Sequence, residues 1–206
     1  MVIRLKALEE PSLVKLLVVA NLLVYAFLAI KSRNFIFIDF SLLALYGQCN
    51  YYIIFYGWYW QMITSLFVHA NLLHLTFNMI YLYAIGQRIE KKHGPAFLVF
   101  AFLASGLAGN CLSLLWGPSM VTVGASGGVL GLAAVEIMIG RRLAGRGTGS
   151  GLLTIFSLFL INSIMPSVDI LGHLGGIICG ALIGYLYSRR LEKNRRTYSF
   201  TIASTI

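Results

Sequence analysis

Six apolar segments alternate with short polar, glycine-rich or basic stretches along the 206 residues, at positions 13–30, 66–87, 96–115, 126–140, 149–165 and 170–187. A helix needs about 20 apolar residues to cross a hydrocarbon core ~30 Å thick. The first, second, third and sixth segments meet or approach that length. The fourth and fifth are shorter and rich in glycine at one end, which bundle packing or local thinning accommodates. From His93 to Val135 there is no Asp, Glu, Lys or Arg. That stretch is about twice one span. Trp116-Gly117-Pro118-Ser119 interrupts it and reads as a tight turn between two spans. The expected fold is an all-α integral membrane protein, a six-transmembrane-helix bundle in one membrane domain over 1–206, with 188–206 as a basic tail.

Composition agrees: 58% of residues are hydrophobic and 11% charged, against about 25% charged in a usual soluble domain. The net charge of +9 does not point to nucleic acid, because the basic residues form short clusters between apolar segments rather than one patch. Placed on the six spans, 14 of the 16 Lys and Arg fall on one side, with only Lys31 and Arg33 on the other. Positive charge marks the cytoplasmic side, so both termini are expected there, in a multi-pass protein of the cell membrane. The segment from Lys31 to about Leu66 then faces outside. Its aromatics, Phe35, Phe37, Tyr51, Tyr52, Tyr56, Trp58, Tyr59 and Trp60, suit the headgroup level and predict a structured loop half sunk in the outer interface, in contact with lipid. Three cysteines cannot all pair with one another; Cys111 and Cys179 lie in apolar spans and are expected to be core residues. No cleavable signal peptide is expected, since Glu9, Glu10 and Pro11 precede the first span with no small-residue cleavage site.

Ionisable or nucleophilic groups inside spans are costly and are candidates for function. Ser126 lies 15 residues before Arg141, roughly 22 Å above the cytoplasmic charge layer. His173 stands roughly 24 Å above it, His74 roughly 26 Å and Asn78 roughly 20 Å, at 1.5 Å per residue. Three different spans thus bring a serine, two histidines and an asparagine to one depth. Singly, such a serine usually bonds its own backbone and such a histidine is usually a packing residue; their coincidence favours chemistry. Gly127 and Gly131 on span four, and Gly176, Gly180 and Gly184 on span six, form small-residue stripes that let helix backbones approach closely. Contact between these stripes brings the Ser126 hydroxyl within reach of the His173 imidazole, the minimum for an activated nucleophile. Ser126 also opens its helix, where backbone N–H groups and the positive dipole end gather. His74 and Asn78, four apart on one helix face, could add side-chain donors, which is the composition of an oxyanion hole.

At these residues the chain resembles the rhomboid intramembrane serine proteases, over nearly all of its length from about Trp58 to Tyr187. Gly124-Ala125-Ser126-Gly127 matches the family's Gly-x-Ser-Gly motif. His69, His74 and Asn78 match His-x4-His-x3-Asn, followed by Gly86, Glu90 and Gly94. His173, Gly176 and Gly180 match His-x2-Gly-x3-Gly. The resemblance implies a rhomboid-like bundle that cleaves transmembrane segments of other membrane proteins, with an active site opening to the outer face. It implies Ser126 as nucleophile and His173 as general base. His74, Asn78 and the Ser126 N–H would be oxyanion donors, and His69 a structural residue tying the aromatic loop to the second helix. Gly124, Gly127, Gly176 and Gly180 would be structural supports. No metal or cofactor is implied, and no carboxylate third member. Asp169 reads as a helix N-cap and Glu90 as a local partner of nearby basic residues. The chain departs from the family at Gln61, where Trp-Arg is usual and an arginine anchor is therefore missing or replaced, and at Leu130, where an aromatic often packs on the catalytic imidazole.

Other classes fit less well. A catalytically weak or inactive rhomboid-fold protein that binds transmembrane clients predicts loss of the serine or histidine, and both are present. A transporter favours charged groups at the midplane, and this polar cluster sits high without carboxylates. A membrane metalloprotease wants His-Glu-x-x-His, which does not occur. Asp39 and Asp169, the only aspartates, lie in or beside outer loops and cannot form an intramembrane aspartyl pair.

Overall fold

The computed structural model describes residues 12–144, Leu153, Ser157 and 169–203. Its helices, in chain order, are α1 (Leu13–Ser32), α2 (Phe40–Tyr46), α3 (Asn50–Tyr56), α4 (Gln61–Thr64), α5 (Leu72–His93), α6 (Pro95–Ser113), α7 (Ser126–Ala144) and α8 (Ile170–Ala203). Two short strands, β1 (Gln48–Cys49) and β2 (Val121–Thr122), pair antiparallel. Among the described residues three helical stretches are long and apolar enough to cross a membrane: Leu13–Ser32, Pro95–Trp116 and Ile170–Lys193. Helices α5 and α7 match them in length, but α5 carries His74 and Asn78, and α7 carries Glu136, Arg141 and Arg142. The span expected at 149–165 lies outside the described residues except for Leu153 and Ser157, both helical.

Helix ends differ from the apolar pattern for local reasons. The second span was expected from Leu66, yet α5 begins at Leu72. Ser65–Phe67 forms a 3₁₀ turn instead, and the Asn71 side chain caps α5 by accepting the His74 N–H at 2.8 Å. At the other end α5 runs to His93 and stops at Gly94, whose φ of 92° suits glycine. Helices α7 and α8 continue past the apolar segments, which end at 140 and 187, to Ala144 and Ala203. Hydropathy marks where a chain leaves hydrocarbon, not where its helical hydrogen bonds end.

The packing centre is the α6–α7–α8 trio, where backbone meets backbone. Gly176 lies against the Gly127 carbonyl and Gly180 against the Gly131 carbonyl; a Cβ on Gly184 would stand 2.8 Å from the Val135 carbonyl. Helix α6 joins through Gly109, which lies against the Gly172 carbonyl, and through Gly175, where a Cβ would stand 2.7 Å from the Ala108 carbonyl. Phe102, Val129, Leu130, Leu132 and Ala133 fill the surrounding core. Helix α1 packs on α5, with Val14 seated over Gly86. Among the described residues Glu90 makes no ion pair with its basic neighbours. Its carboxylate accepts the Ser12 hydroxyl and the Leu13 N–H, both at 2.6 Å, and so caps the start of α1 from 77 residues away. Negative charge at a helix N-terminus meets unsatisfied N–H groups and the positive dipole end. The neighbouring Arg88 reaches Glu136 on α7 in a two-pronged ion pair at 2.8 Å.

The aromatic segment between α1 and α5 folds into the short helices α2, α3 and α4 and the strand β1. Tyr51, Tyr52, Tyr56, Trp58 and Trp60 form a chain of ring contacts 4.7–6.5 Å between centroids. Phe35, Phe37, Tyr56 and Tyr59 are exposed, which suits lipid headgroups. The segment is sewn to the rest at two places. Ile38 N–H bonds the Ala70 carbonyl and Leu72 N–H the Ile36 carbonyl, both at 2.9 Å. Further on, β1 pairs with β2, and Asn50 donates to the carbonyls of Ser113 and Gly117. Gln61, at the position of the missing arginine, is fully buried. Its amide donates to the carbonyls of Ala44 and Leu45 at 2.9 Å and accepts the Cys49 N–H at 3.0 Å. A neutral amide thus takes the anchor position and holds the loop by its backbone. The cysteines depart from expectation: Cys49 is buried, Cys111 is exposed and Cys179 half-buried, and all three are free.

Two outcomes are expected. Gly180→Val should lower stability by about 2 kcal/mol or more, because the added carbons meet the Gly131 backbone, which cannot yield as a side chain can. A thermal unfolding midpoint in detergent equal to wild type would contradict this packing. Gln61→Leu leaves the Cys49 N–H without its acceptor, a cost of about 1–3 kcal/mol. Limited proteolysis should then cut the segment 40–60 faster, and an unchanged rate would show that Gln61 does not hold it.

Candidate active site

The short turn before α7 has the backbone its sequence demands. Gly124 has φ 119°, a region closed to most side chains. A Cβ there would also stand 2.7–2.8 Å from the His74 imidazole, so both conformation and space require glycine. The Gly124 N–H donates to the Ser65 carbonyl at 2.9 Å, and the Ala125 N–H meets His69 Nε2 at 3.5 Å. Ser126 then opens α7. The first helical bond of this turn is Val129 N–H to the Ala125 carbonyl, 2.9 Å, so the N–H groups before Val129 have no intrahelical acceptor.

Helix α8 begins one turn before His173. Asp169 caps it as expected: its carboxylate accepts the Gly172 N–H at 2.8 Å, and its backbone carbonyl accepts the His173 N–H at 3.0 Å. Ser126 Oγ and His173 Nε2 are 2.8 Å apart, and the two residues are 6% and 8% exposed. The glycine contacts just below them account for that distance, since bulkier residues there would push the helices apart. His173 Nδ1 is buried without a hydrogen-bond partner among the described residues. Asp169 and Glu136 bond elsewhere. Among the described residues no carboxylate therefore orients the ring through Nδ1.

Ser126 and His173 open on a cavity of about 290 Å³. His74, Gly124, Gly127 and Asp169 line it, with Phe40 and Leu43 of the aromatic segment on one wall and Met120 to Val123 on another. The structure thus brings Ser126, His173, His74, Gly124 and Gly127 together. Gly176 and Gly180 lie below as packing contacts. Asn78 is buried but does not line the cavity; its amide donates to the His74 carbonyl at 2.9 Å, one turn back on α5. His69 is fully buried. Its ring contacts the His74 ring at 5.1 Å and meets the Ala125 N–H, so it braces the serine turn as well as the segment before α5. Leu130 is buried in the core. No group of His, Cys, Asp and Glu among the described residues could hold a metal ion.

Sequence reasoning missed Ser65, Asn110, Ser113 and Thr122. Asn110 donates to Ser65 Oγ and to the Met62 carbonyl, fixing the turn that receives Gly124. Ser113 Oγ and Thr122 Oγ1 are 2.7 Å apart. These are small polar residues whose partners lie far off in the chain. Only the presence of buried-type polar residues within apolar segments signalled them.

Residues 56–190 match the family model for the Rhomboid domain. Curated relatives include Rhomboid-like protease 1 of Toxoplasma gondii, 30% identical over 161 residues, which are 73% of this chain and 54% of that protein. RHOMBOID-like protein 4 of Arabidopsis thaliana is 33% identical over 136 residues, 62% of this chain and 34% of that one. Rhomboid protease GluP of Bacillus subtilis (strain 168) is 25% identical over 167 residues, 76% of this chain and 33% of that one. The chain spans between a third and about half of the length of such relatives. The family match covers more than half of the chain and includes Ser126, His173, His74 and Asn78; with its long apolar helices, the chain is a membrane protein and belongs to the rhomboid family.

Proposed function

We propose that the protein is an intramembrane serine endopeptidase that cleaves transmembrane segments of other membrane proteins through a Ser126–His173 dyad. The observation that carries this reading is the 2.8 Å contact between Ser126 Oγ and His173 Nε2, at a cavity and at the first turn of α7. With the ring proton on Nδ1, Nε2 accepts the Ser126 hydroxyl proton as Oγ attacks the scissile carbonyl carbon. The tetrahedral oxyanion forms beside the free N–H of Ser126 and the imidazole of His74, whose ring stands next to Gly124. Asn78 serves as a further donor once its amide turns from the His74 carbonyl toward the cavity. The intermediate collapses to an acyl-enzyme as His173 protonates the leaving amine. A water molecule, deprotonated by the same Nε2, then releases the acid and restores Ser126.

The positive clusters support an orientation with both termini cytoplasmic and the cavity opening to the outer face. The membrane domain over 1–206 and a transmembrane span over 149–165, which completes a six-helix bundle, belong to the same reading. The exposed aromatics beside the cavity support its position at the headgroup level. Its substrates are then transmembrane proteins whose segments unwind near that level, since a protease must present an extended backbone to its nucleophile.

The test is labelling of the detergent-purified protein with a serine-directed fluorophosphonate. Wild type should label, and Ser126→Ala should not. His173→Ala should label at least about 10³-fold more slowly, the loss expected when the base of a Ser–His pair is removed. Labelling that persists in Ser126→Ala would sink the assignment.

A further inference from the structure

The dyad spans two elements that share no covalent link nearby: Ser126 follows β2 and His173 sits in the first turn of α8. Below the dyad, glycine contacts fix the helices against each other. Above it, one carboxylate joins the two sides. Asp169 is 8% exposed and accepts three donors from three elements. Its Oδ1 takes the Gly172 N–H of α8 at 2.8 Å and the Trp116 indole N–H, from the turn after α6, at 3.0 Å. Its Oδ2 takes the hydroxyl of Thr122, in β2, at 2.9 Å. Thr122 is four residues before Ser126, and Asp169 is four residues before His173. The Asp169 backbone carbonyl also accepts the His173 N–H. A helix cap needs only the Gly172 bond. The other two bonds are more than a cap requires, and one of them reaches the strand that leads into the nucleophile.

We infer that Asp169 is a positioning residue for the proposed reaction: through Thr122 it clips the strand carrying Ser126 to the helix carrying His173. The carboxylate acts on geometry and makes no contact with His173 Nδ1. Charge-assisted bonds are the shorter and stronger kind, and their donors here approach from separate directions, which limits sliding of β2 along α8. Ser113, 2.7 Å from Thr122 Oγ1, donates to the threonine oxygen and keeps the hydroxyl proton aimed at Asp169. The dyad is thereby held from both sides, by glycine backbone contacts on the cytoplasmic side and by the carboxylate clip on the outer side. Misplacing a reacting group by a fraction of an ångström lowers the rate without weakening ligand binding.

The inference rests on the Ser126–His173 reading, and its test separates the two. The full chain in detergent is labelled with a fluorophosphonate over a range of concentrations, giving the maximal rate and the half-saturating concentration apart. Thr122→Val, Thr122→Ser and Asp169→Asn are compared with wild type. Thr122→Val should lower the maximal rate about tenfold and leave half-saturation unchanged, while Thr122→Ser, which keeps the hydroxyl, restores the rate. Asp169→Asn should fall at least as far, and the double variant Thr122→Val/Asp169→Asn no further than Asp169→Asn alone, because both remove one linkage. If Asp169→Asn does not fold, the two threonine variants decide. Wild-type rates in Thr122→Val, or equal losses in Thr122→Val and Thr122→Ser, would overturn the clip and leave the dyad standing. A wild-type protein that does not label at Ser126 would overturn both.

Discussion

Backbone lies directly against backbone where α7 and α8 cross, and the rest of the site depends on that approach. Gly176 faces the Gly127 carbonyl and Gly180 the Gly131 carbonyl, with no side chain between. In lipid there is little hydrophobic force to draw apolar helices together, so close packing has to supply it. The same approach sets the distance between the side chains in the adjoining turn of each helix. Ser126 and His173 come within 2.8 Å because the glycines beneath them let the two helices pack this closely. Packing and site geometry are therefore a single requirement on the sequence: a bulky residue in either stripe is at once a stability defect and a displacement of Ser126 from His173.

A second constraint comes from above the membrane-embedded helices. The aromatic segment has no long helix of its own, yet it supplies β1 to the strand that leads into Ser126 and part of the cavity wall. Its hold depends on buried amides: Gln48 and Asn50 bond backbone carbonyls of α6, and Gln61 bonds those of α2 within the segment itself. Such bonds are strong in a water-poor setting and costly to break. The segment thus has two faces, with exposed aromatics on one and buried amides bonded to backbone on the other. Removing the amides should loosen the cavity wall before it affects the helix trio.

Much of this was legible in the sequence where the governing pattern is local. That Ser126, His173 and His74 meet follows from counting residues along helices. The two glycine stripes announce their contact by spacing alone, and the cap at Asp169 follows from its place before α8. What was not legible depends on residues far apart in the chain. Glu90 caps α1 across 77 residues rather than pairing with its basic neighbours, and no periodicity encodes that choice. Asn78 shares a helix face with His74, but its amide turns back on its own helix, a rotamer matter beneath the resolution of spacing. The start of α5 was misplaced because Leu66 to Val68 is as apolar as the helix itself; the Asn71 cap decides it. Cys111 lies in an apolar helix yet is exposed, since apolar residues in a membrane protein face lipid as readily as core.

The central claim is that Ser126 and His173 together cut a peptide bond inside another protein's transmembrane segment. The most direct measurement is mass spectrometry of a single-span polypeptide incubated with the protein in the same proteoliposomes. The account predicts one or a few cuts within or beside the span, near the outer headgroup level, that vanish in Ser126→Ala. An intact polypeptide with folded wild-type protein, or the same cuts with Ser126→Ala, would contradict it.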